Sequence, residues 1–301
     1  MNKDNKFSTL GFKLQLLLCF VICSADCISD SSFKFQVTPA YLKTSEELNE
    51  IRKNEDSTII LIGRHGRTDS NRKGLTHQDG SNENINIKNQ DDTEDIVYLS
   101  KIGEKRLVNG LYCAPSHRCQ TTSALMSVGS MGDLQVIPDE RFKEQDFGNL
   151  KGKSPEQYLN DKEFLRLVQD ADYKMESNGG ESTNKAISRL LNGIIEYADA
   201  NIGKAIYICV SRGCIAALER FINGKKYKNK NDVVTLYSPK NYNILVIRYY
   251  NKSKTIELVY EDPMVPKKVY KFLKSEKNLQ KEAGQLLEQA KRNVGAIPIV
   301  G

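Results

Sequence analysis

Apolar residues along the chain fall into two kinds of run. One kind is short and unbroken: STIILIG at 57–63 and KAIYICVS at 204–211 have no polar face and end in a small residue. Runs of that length without alternation fit strands buried on both sides, as in a parallel sheet. LYC at 111–113 and DLQVIPDE at 133–140 predict two further strands. The other kind recurs every three or four residues. Ile187, Leu190, Leu191, Ile194 and Ile195 make one stripe, which predicts a helix with Ser182 as its cap. Further helices are predicted over 45–53, over 99–110 between Ser100 and Gly110, from Arg118 after a turn at Pro115, over 154–173 with Pro155 in the first turn, and over 213–224. YNILVIRYYNKSKTIELVYED at 242–262 alternates on either side of a polar turn, the pattern of an antiparallel hairpin.

Strands that alternate with helices predict a three-layer α/β/α architecture with a mostly parallel central sheet, spanning 57–262. Residues 77–95, rich in Asn, Asp, Gln and Glu without a period, are expected to be a solvated, disordered insertion. Residues 26–56 make a polar N-terminal extension, and 263–301 a C-terminal tail with an amphipathic helix.

The first 25 residues stand apart. Lys3, Lys6 and Lys13 precede LQLLLCFVIC at 14–23, followed by Ser24 and Ala25. That order predicts a secretory signal peptide cut near Ala25, and hence a secreted protein or one held in a secretory organelle. A buried helix or a signal anchor is the competing reading. The apolar run is well short of the ~20 residues that cross a bilayer, so no stable membrane span is expected. Cleavage would leave Cys27, Cys113, Cys119, Cys209 and Cys214, an odd set in which at least one thiol is free or pairs with another molecule. Cys113 and Cys209 lie within apolar runs and read as buried thiols. No cysteine or histidine spacing suits zinc, and neither a metal nor a cofactor is expected. Asn251-Lys252-Ser253 is a glycosylation sequon in the predicted hairpin turn.

The formal charge of +6 includes a net +2 from the leader. Basic residues are scattered, and GKKYKNKN at 224–231 reads as a solvated loop, so nucleic acid is not an expected partner. A small anion fits better. In parallel sheets, ligands collect at the carboxyl ends of strands. The residues found there are Arg64, His65 and Gly66; Ser116, His117 and Arg118; and Ser211, Arg212 and Gly213. Three arginines and a histidine suit a phosphoryl group, whose oxygens match guanidinium forks in pairs. His65, with a reference pKa of about 6.5 that neighbouring arginines push lower, can attack phosphorus as a neutral imidazole. A carboxylic acid must then protonate the leaving oxygen, and RFKEQDFGNLKG at 141–152 offers Glu144 or Asp146.

Taken in order, these motifs resemble the histidine phosphatase superfamily, in its phosphoglycerate mutase-like branch, from about Thr58 to Asp262. RHGRTDSN is similar to that family's Arg-His-Gly-x-Thr-x-x-Asn signature, and LSKIGEKR to its Leu-Thr-x-x-Gly helix start. APSHRCQTT resembles Ser-Pro-x-x-Arg-Ala-x-x-Thr with Ala114 in place of the Ser, and GGES matches the Gly-Glu-Ser before the next helix. The resemblance implies His65 as the phosphorylated nucleophile, Arg64 and Arg118 as phosphate ligands, and Glu144 as proton donor. It also implies Asn71 and Ser211 on the substrate side and Glu181 as a structural or pocket-edge residue.

One position departs from the pattern. Where the family has Ser-His-Gly after the late strand, this chain has Ser211-Arg212-Gly213. An Arg can clamp a dianion but, staying charged near neutral pH, cannot give or take a proton there. Its reach also differs from that of the histidine it replaces, and loss of one well-aimed donor costs roughly 100 to 1000-fold in rate. Two readings follow: a phosphatase of reduced activity on phosphomonoesters, mutase chemistry being the lesser option, or an impaired pseudophosphatase that holds a phosphorylated small molecule or phosphoprotein.

Overall fold

The computed structural model describes residues 34–37, 56–75, 83–151, 153–170, 179–223, 241–242, 244–261 and 276–295. Within them, β1 (Lys34–Val37), β2 (Ser57–Arg64), β3 (Gly110–Cys113), β4 (Val136–Pro138), β5 (Ala205–Val210), β6 (Ile244–Tyr250) and β7 (Thr255–Glu261) form one sheet in the order β1-β7-β6-β2-β5-β3-β4. The two unbroken apolar runs become its centre. β2 and β5 are buried at every position and pair in parallel, from Ile59 opposite Ala205 to Arg64 opposite Val210. β3 and β4 continue the parallel half, whereas β6 runs antiparallel to both β2 and β7. β1 pairs in parallel with β7, so the segment expected to be an extension supplies an edge strand. Its sequence KFQV alternates polar and apolar residues, as a strand does.

The helices are α1 (Asp69–Arg72), α2 (Gln90–Glu104), α3 (His117–Gly129), α4 (Pro155–Leu159), α5 (Lys162–Gln169), α6 (Thr183–Asp199), α7 (Arg212–Asn223) and α8 (Glu276–Gly295). Helices cover the mostly parallel sheet, and the fold class is the expected three-layer one. Ser182 caps α6 as predicted, its hydroxyl accepting from Lys185 N at 3.1 Å. α8 is no loose tail: Leu279, Ala283, Leu287, Ala290 and Val294 are buried where it packs on α2 and α3. Among the described residues no helix is long and apolar enough to cross a membrane. The four described cysteines, Cys113, Cys119, Cys209 and Cys214, are free and buried. The leader at 1–25, His77 and the helix predicted over 45–53 lie outside the described residues.

Two expectations are corrected. The polar stretch 77–95 is not wholly a solvated insertion, because Ile85 is buried and α2 starts at Gln90, ten residues before the predicted cap at Ser100. Asn89 and Asp92 form the capping box instead, Asn89 Oδ1 accepting from Asp92 N at 2.9 Å. Asp92, the fully buried member of the acidic run, has its charge neutralised there by Arg72 at 2.5 Å and Arg67 at 3.4 Å. The helix predicted over 154–173 is broken in two. Asp161 caps α5 by accepting from Glu163 N and Phe164 N, so its side chain bonds a new helix start where the pattern had implied continuation. The sequon Asn251 does fall in the β6–β7 turn, and its Nδ2 donates to Asp199 at 2.5 Å.

Ile85→Ala tests the first correction. It is expected to cost about 2–5 kcal/mol in urea unfolding, as for a packed core residue; an unchanged midpoint would return 83–89 to the solvent.

Candidate active site

The parallel register brings three strand ends together. His65 N continues the β2–β5 ladder by donating to Val210 O at 3.1 Å, and Ala114 N does the same from β3 to Cys209 O at 2.9 Å. The chain therefore leaves β2, β5 and β3 at one edge, carrying Arg64 and His65, Ser211 and Arg212, and the turn into α3 with Arg118. Ser116, the N-cap of α3, makes no side-chain capping bond, which leaves the first amides of that helix to other acceptors.

His65 is 1% exposed. Its Nδ1 lies 2.8 Å from the Gly66 carbonyl, which can only accept, so Nδ1 carries the hydrogen and the neutral ring has its lone pair on Nε2. The turn that holds it is tied at several points. Gly66 N donates to Thr122 Oγ1 at 2.9 Å, and that hydroxyl donates to Arg118 O at 2.7 Å, linking the His65 turn to the first turn of α3. Asn241 Nδ2 lies 2.9 Å from His65 O, 3.2 Å from Gly66 O and 3.0 Å from Asn71 Oδ1. The Tyr242 hydroxyl occupies the space that a Cβ on Gly66 would need. Thr122 ends the Ser-Pro-x-x-Arg-Ala-x-x-Thr pattern, a signal that was present but not used. Asn241 has no local signal.

Asn71 was expected on the substrate side. Its carbonyl oxygen is committed to the loop itself, accepting from Thr68 N at 3.4 Å and from Asn241.

The electrostatics divide the two candidate carboxylates. Burial raises the pKa of Glu144 above the ordinary carboxylate range, although the Arg118 charge, the N–H groups of Gln145 and Gly213, and Arg64 all oppose the rise. Burial also pushes Asp146 upward, but the Lys151 ammonium at 2.8 Å and the Gly148 N–H at 2.8 Å outweigh it and hold Asp146 below its usual value. Of the two, Glu144 is the one suited to keep a proton. A Cβ on Gly213 would lie 2.5 Å from Glu144 Oε1 and 3.2 Å from the Phe147 ring, so only glycine lets the carboxyl rest on the start of α7. Arg64, 8% exposed, is lowered to about 9 by burial and then by the Arg212 charge, with Glu144 acting in the opposite direction. Arg212 thus directs its charge onto the pocket, more strongly at Arg64 than Arg118 does.

The sequence model of the histidine phosphatase superfamily (branch 1) matches residues 60–262. The chain belongs to that superfamily. Histidine phosphatase folds are also its structural neighbours. It is similar to Bacillus stearothermophilus YhfR, with a TM-score of 0.55 and 19% identity over 69% of this chain and 98% of that one. It is similar to a phosphoglycerate mutase from Bacillus anthracis, with a TM-score of 0.55 and 13% identity over 70% and 94% of the two chains. The native mycobacterial glucosyl-3-phosphoglycerate phosphatase gives a TM-score of 0.52 and 18% identity over 69% and 100%. A search of curated protein sequences finds no match.

Within this histidine phosphatase fold, Arg64, Arg118, Glu144 and Arg212 lie close enough for the charge of one to act on another, and His65 follows Arg64 in the chain. Ser211 is 1% exposed, with no hydrogen-bond partner for its Oγ among the described residues. His117 is half-buried as the first residue of α3. Among the described residues no cluster of His, Cys, Asp and Glu could hold a metal ion.

Gly213→Ala is expected to displace the Glu144 carboxyl and return its titration to the ordinary carboxylate range, with little change in melting temperature. Carbon-13 NMR of glutamate-labelled protein, assigned with Glu144→Gln, measures this. An unmoved titration would remove Gly213 from the account.

Proposed function

We propose that the protein is a phosphomonoester phosphatase working through a phosphohistidine on His65, with turnover limited by Arg212. The observation that carries this reading is a buried imidazole with its lone pair on Nε2, next in the chain to an arginine whose charge acts on a buried carboxyl of raised pKa. Nε2 attacks phosphorus as the bond to the leaving oxygen breaks, and the Glu144 proton passes to that oxygen. Glu144, now a carboxylate, accepts a proton from water as the water attacks the phosphohistidine. Orthophosphate leaves and Nε2 regains its lone pair. Arg64, Arg118 and Arg212 hold the equatorial oxygens throughout.

Arg212 also supports a second reading. Two guanidiniums side by side bind a resting dianion strongly, and binding the ground state as tightly as the transition state adds nothing to turnover. On that reading the chain is a pseudophosphatase that holds a phosphorylated small molecule or phosphoprotein. Phosphate release from an aryl phosphate separates the two. His65→Ala is expected to abolish it, and surviving hydrolysis would overturn the nucleophile assignment. Arg212→His is expected to raise kcat; activity gained only in that variant favours the binder.

The pH profile has a stated sign. Arg64 is charged below about 9 and neutral above it, so kcat/KM should fall as pH rises through about 9. Arg212→Gln removes a charge that lowers Arg64, so the alkaline limb should move to higher pH. A limb that stays in place would detach it from this pair.

The leader-like order of residues 1–25 supports export through the secretory pathway. Expressed with its leader in a secreting host, the protein is expected in the medium with its N-terminus near residue 26; retention in the cell with Met1 intact would refute it.

A further inference from the structure

The segment that carries Glu144 has no regular structure of its own. It leaves a short 3-10 turn at Glu140–Phe142 and runs extended past Asp146, so its carbonyls have no helix or sheet to accept from. Carbonyls of such a segment that are turned from water need donors from elsewhere. One side chain on α6 supplies most of them. Arg189 Nη1 donates to Arg141 O and Lys143 O, both at 2.7 Å, and Nη2 donates to Glu144 O at 2.9 Å. Its remaining hydrogens go to one carboxylate: Nη2 to Glu181 Oε1 at 2.6 Å and Nε to Glu181 Oε2 at 3.3 Å. A guanidinium has five N–H groups, and these contacts use all of them. Glu181 in turn accepts from Asp146 N at 3.0 Å, and its own N–H donates to Asp146 O at 2.9 Å. Both ends of the segment are thus tied to one ion pair whose side chains are 16% and 9% exposed.

We infer that Arg189 is the positioning residue of the candidate acid: its planar fork fixes the main chain from 141 to 144 so that the Glu144 carboxyl is pressed, out of water, against Gly213. The inference rests on the reading of Glu144 as proton donor. The paired Glu181 offsets the Arg189 charge at close range, so the clamp acts through geometry. Lysine keeps the charge but cannot span three carbonyls and a carboxylate. Without the fork the segment relaxes toward solvent, and the carboxyl loses the burial that raises it.

Arg189→Lys in the full-length protein is the test, read by the Glu144 carboxyl titration in glutamate-labelled protein, with circular dichroism to confirm the fold. The expected result is a titration moved down toward the ordinary carboxylate range. Kinetics give a second readout: turnover of an alkyl phosphate should fall at least tenfold more than turnover of 4-nitrophenyl phosphate, and Arg189→Lys should add nothing to Glu144→Gln. Glu181→Gln, which loosens the anchor but keeps the guanidinium, should shift the titration in the same direction and decides alone if Arg189→Lys does not fold. A folded variant whose carboxyl titrates as in the native protein overturns the inference. If the titration shifts but Glu144→Gln slows both substrates equally, the clamp stands and the acid assignment fails.

Discussion

The parallel pairing of β2 with β5 is the constraint on which the rest depends. With Arg64 opposite Val210, the next residue of each strand leaves the sheet at the same level, and His65 meets Ser211 and Arg212 across a single edge. β3 joins β5 with Cys113 opposite Cys209, which delivers the turn into α3 to that edge as well. A slip of one residue in either ladder would turn the chemical groups to the other face of the sheet and bury polar side chains in an apolar layer. The unbroken burial of both strands makes such a slip costly, so the site inherits its precision from the hydrophobic core.

Onto that edge the chain concentrates charge of one sign. Arg64, Arg118 and Arg212 face the same space with Glu144 as the near carboxylate, and burial then lowers Arg64 and raises Glu144. Each shift is a cost to the folded protein, since the charged form of either group is less favoured there than in water. A bound dianion would relieve the arginine part of that cost, in keeping with the phosphomonoester proposed as substrate. Arg72 belongs to a different account, held at 2.5 Å by the buried Asp92; Arg67 reaches the same carboxylate at 3.4 Å, and its charge also lowers Arg64.

The irregular segments around the pocket keep their shape because side chains, rather than ladders, satisfy their main chain. Thr122 and Asn241 do this for the turn at His65 and Arg189 for the segment of Glu144. A buried loop without such donors would strand its polar groups at about 1–3 kcal/mol each. The same need explains why Asn71 spends its carbonyl oxygen on the loop.

The sequence by itself determined the elements whose periodicity is strong and the residues whose chemistry is intrinsic. The central strands, the stripe of α6 capped by Ser182, the β6–β7 hairpin and the Arg-His and Arg118 motifs were legible, because burial imposes a period and phosphate binding imposes residue types. So was the anomaly of Arg212. The early start of α2 and the break between α4 and α5 were not legible, since each depends on where an aspartate side chain finds its partner. Only the tertiary structure decided that Arg212 turns its charge toward Arg64, that Glu144 rather than Asp146 is the carboxyl kept from water, and that Asn241 and Arg189 bond the main chain of the segments that carry His65 and Glu144. Those outcomes rest on contacts between residues far apart in the chain, and local sequence carries no record of the distance between two side chains that meet only when the sheet closes.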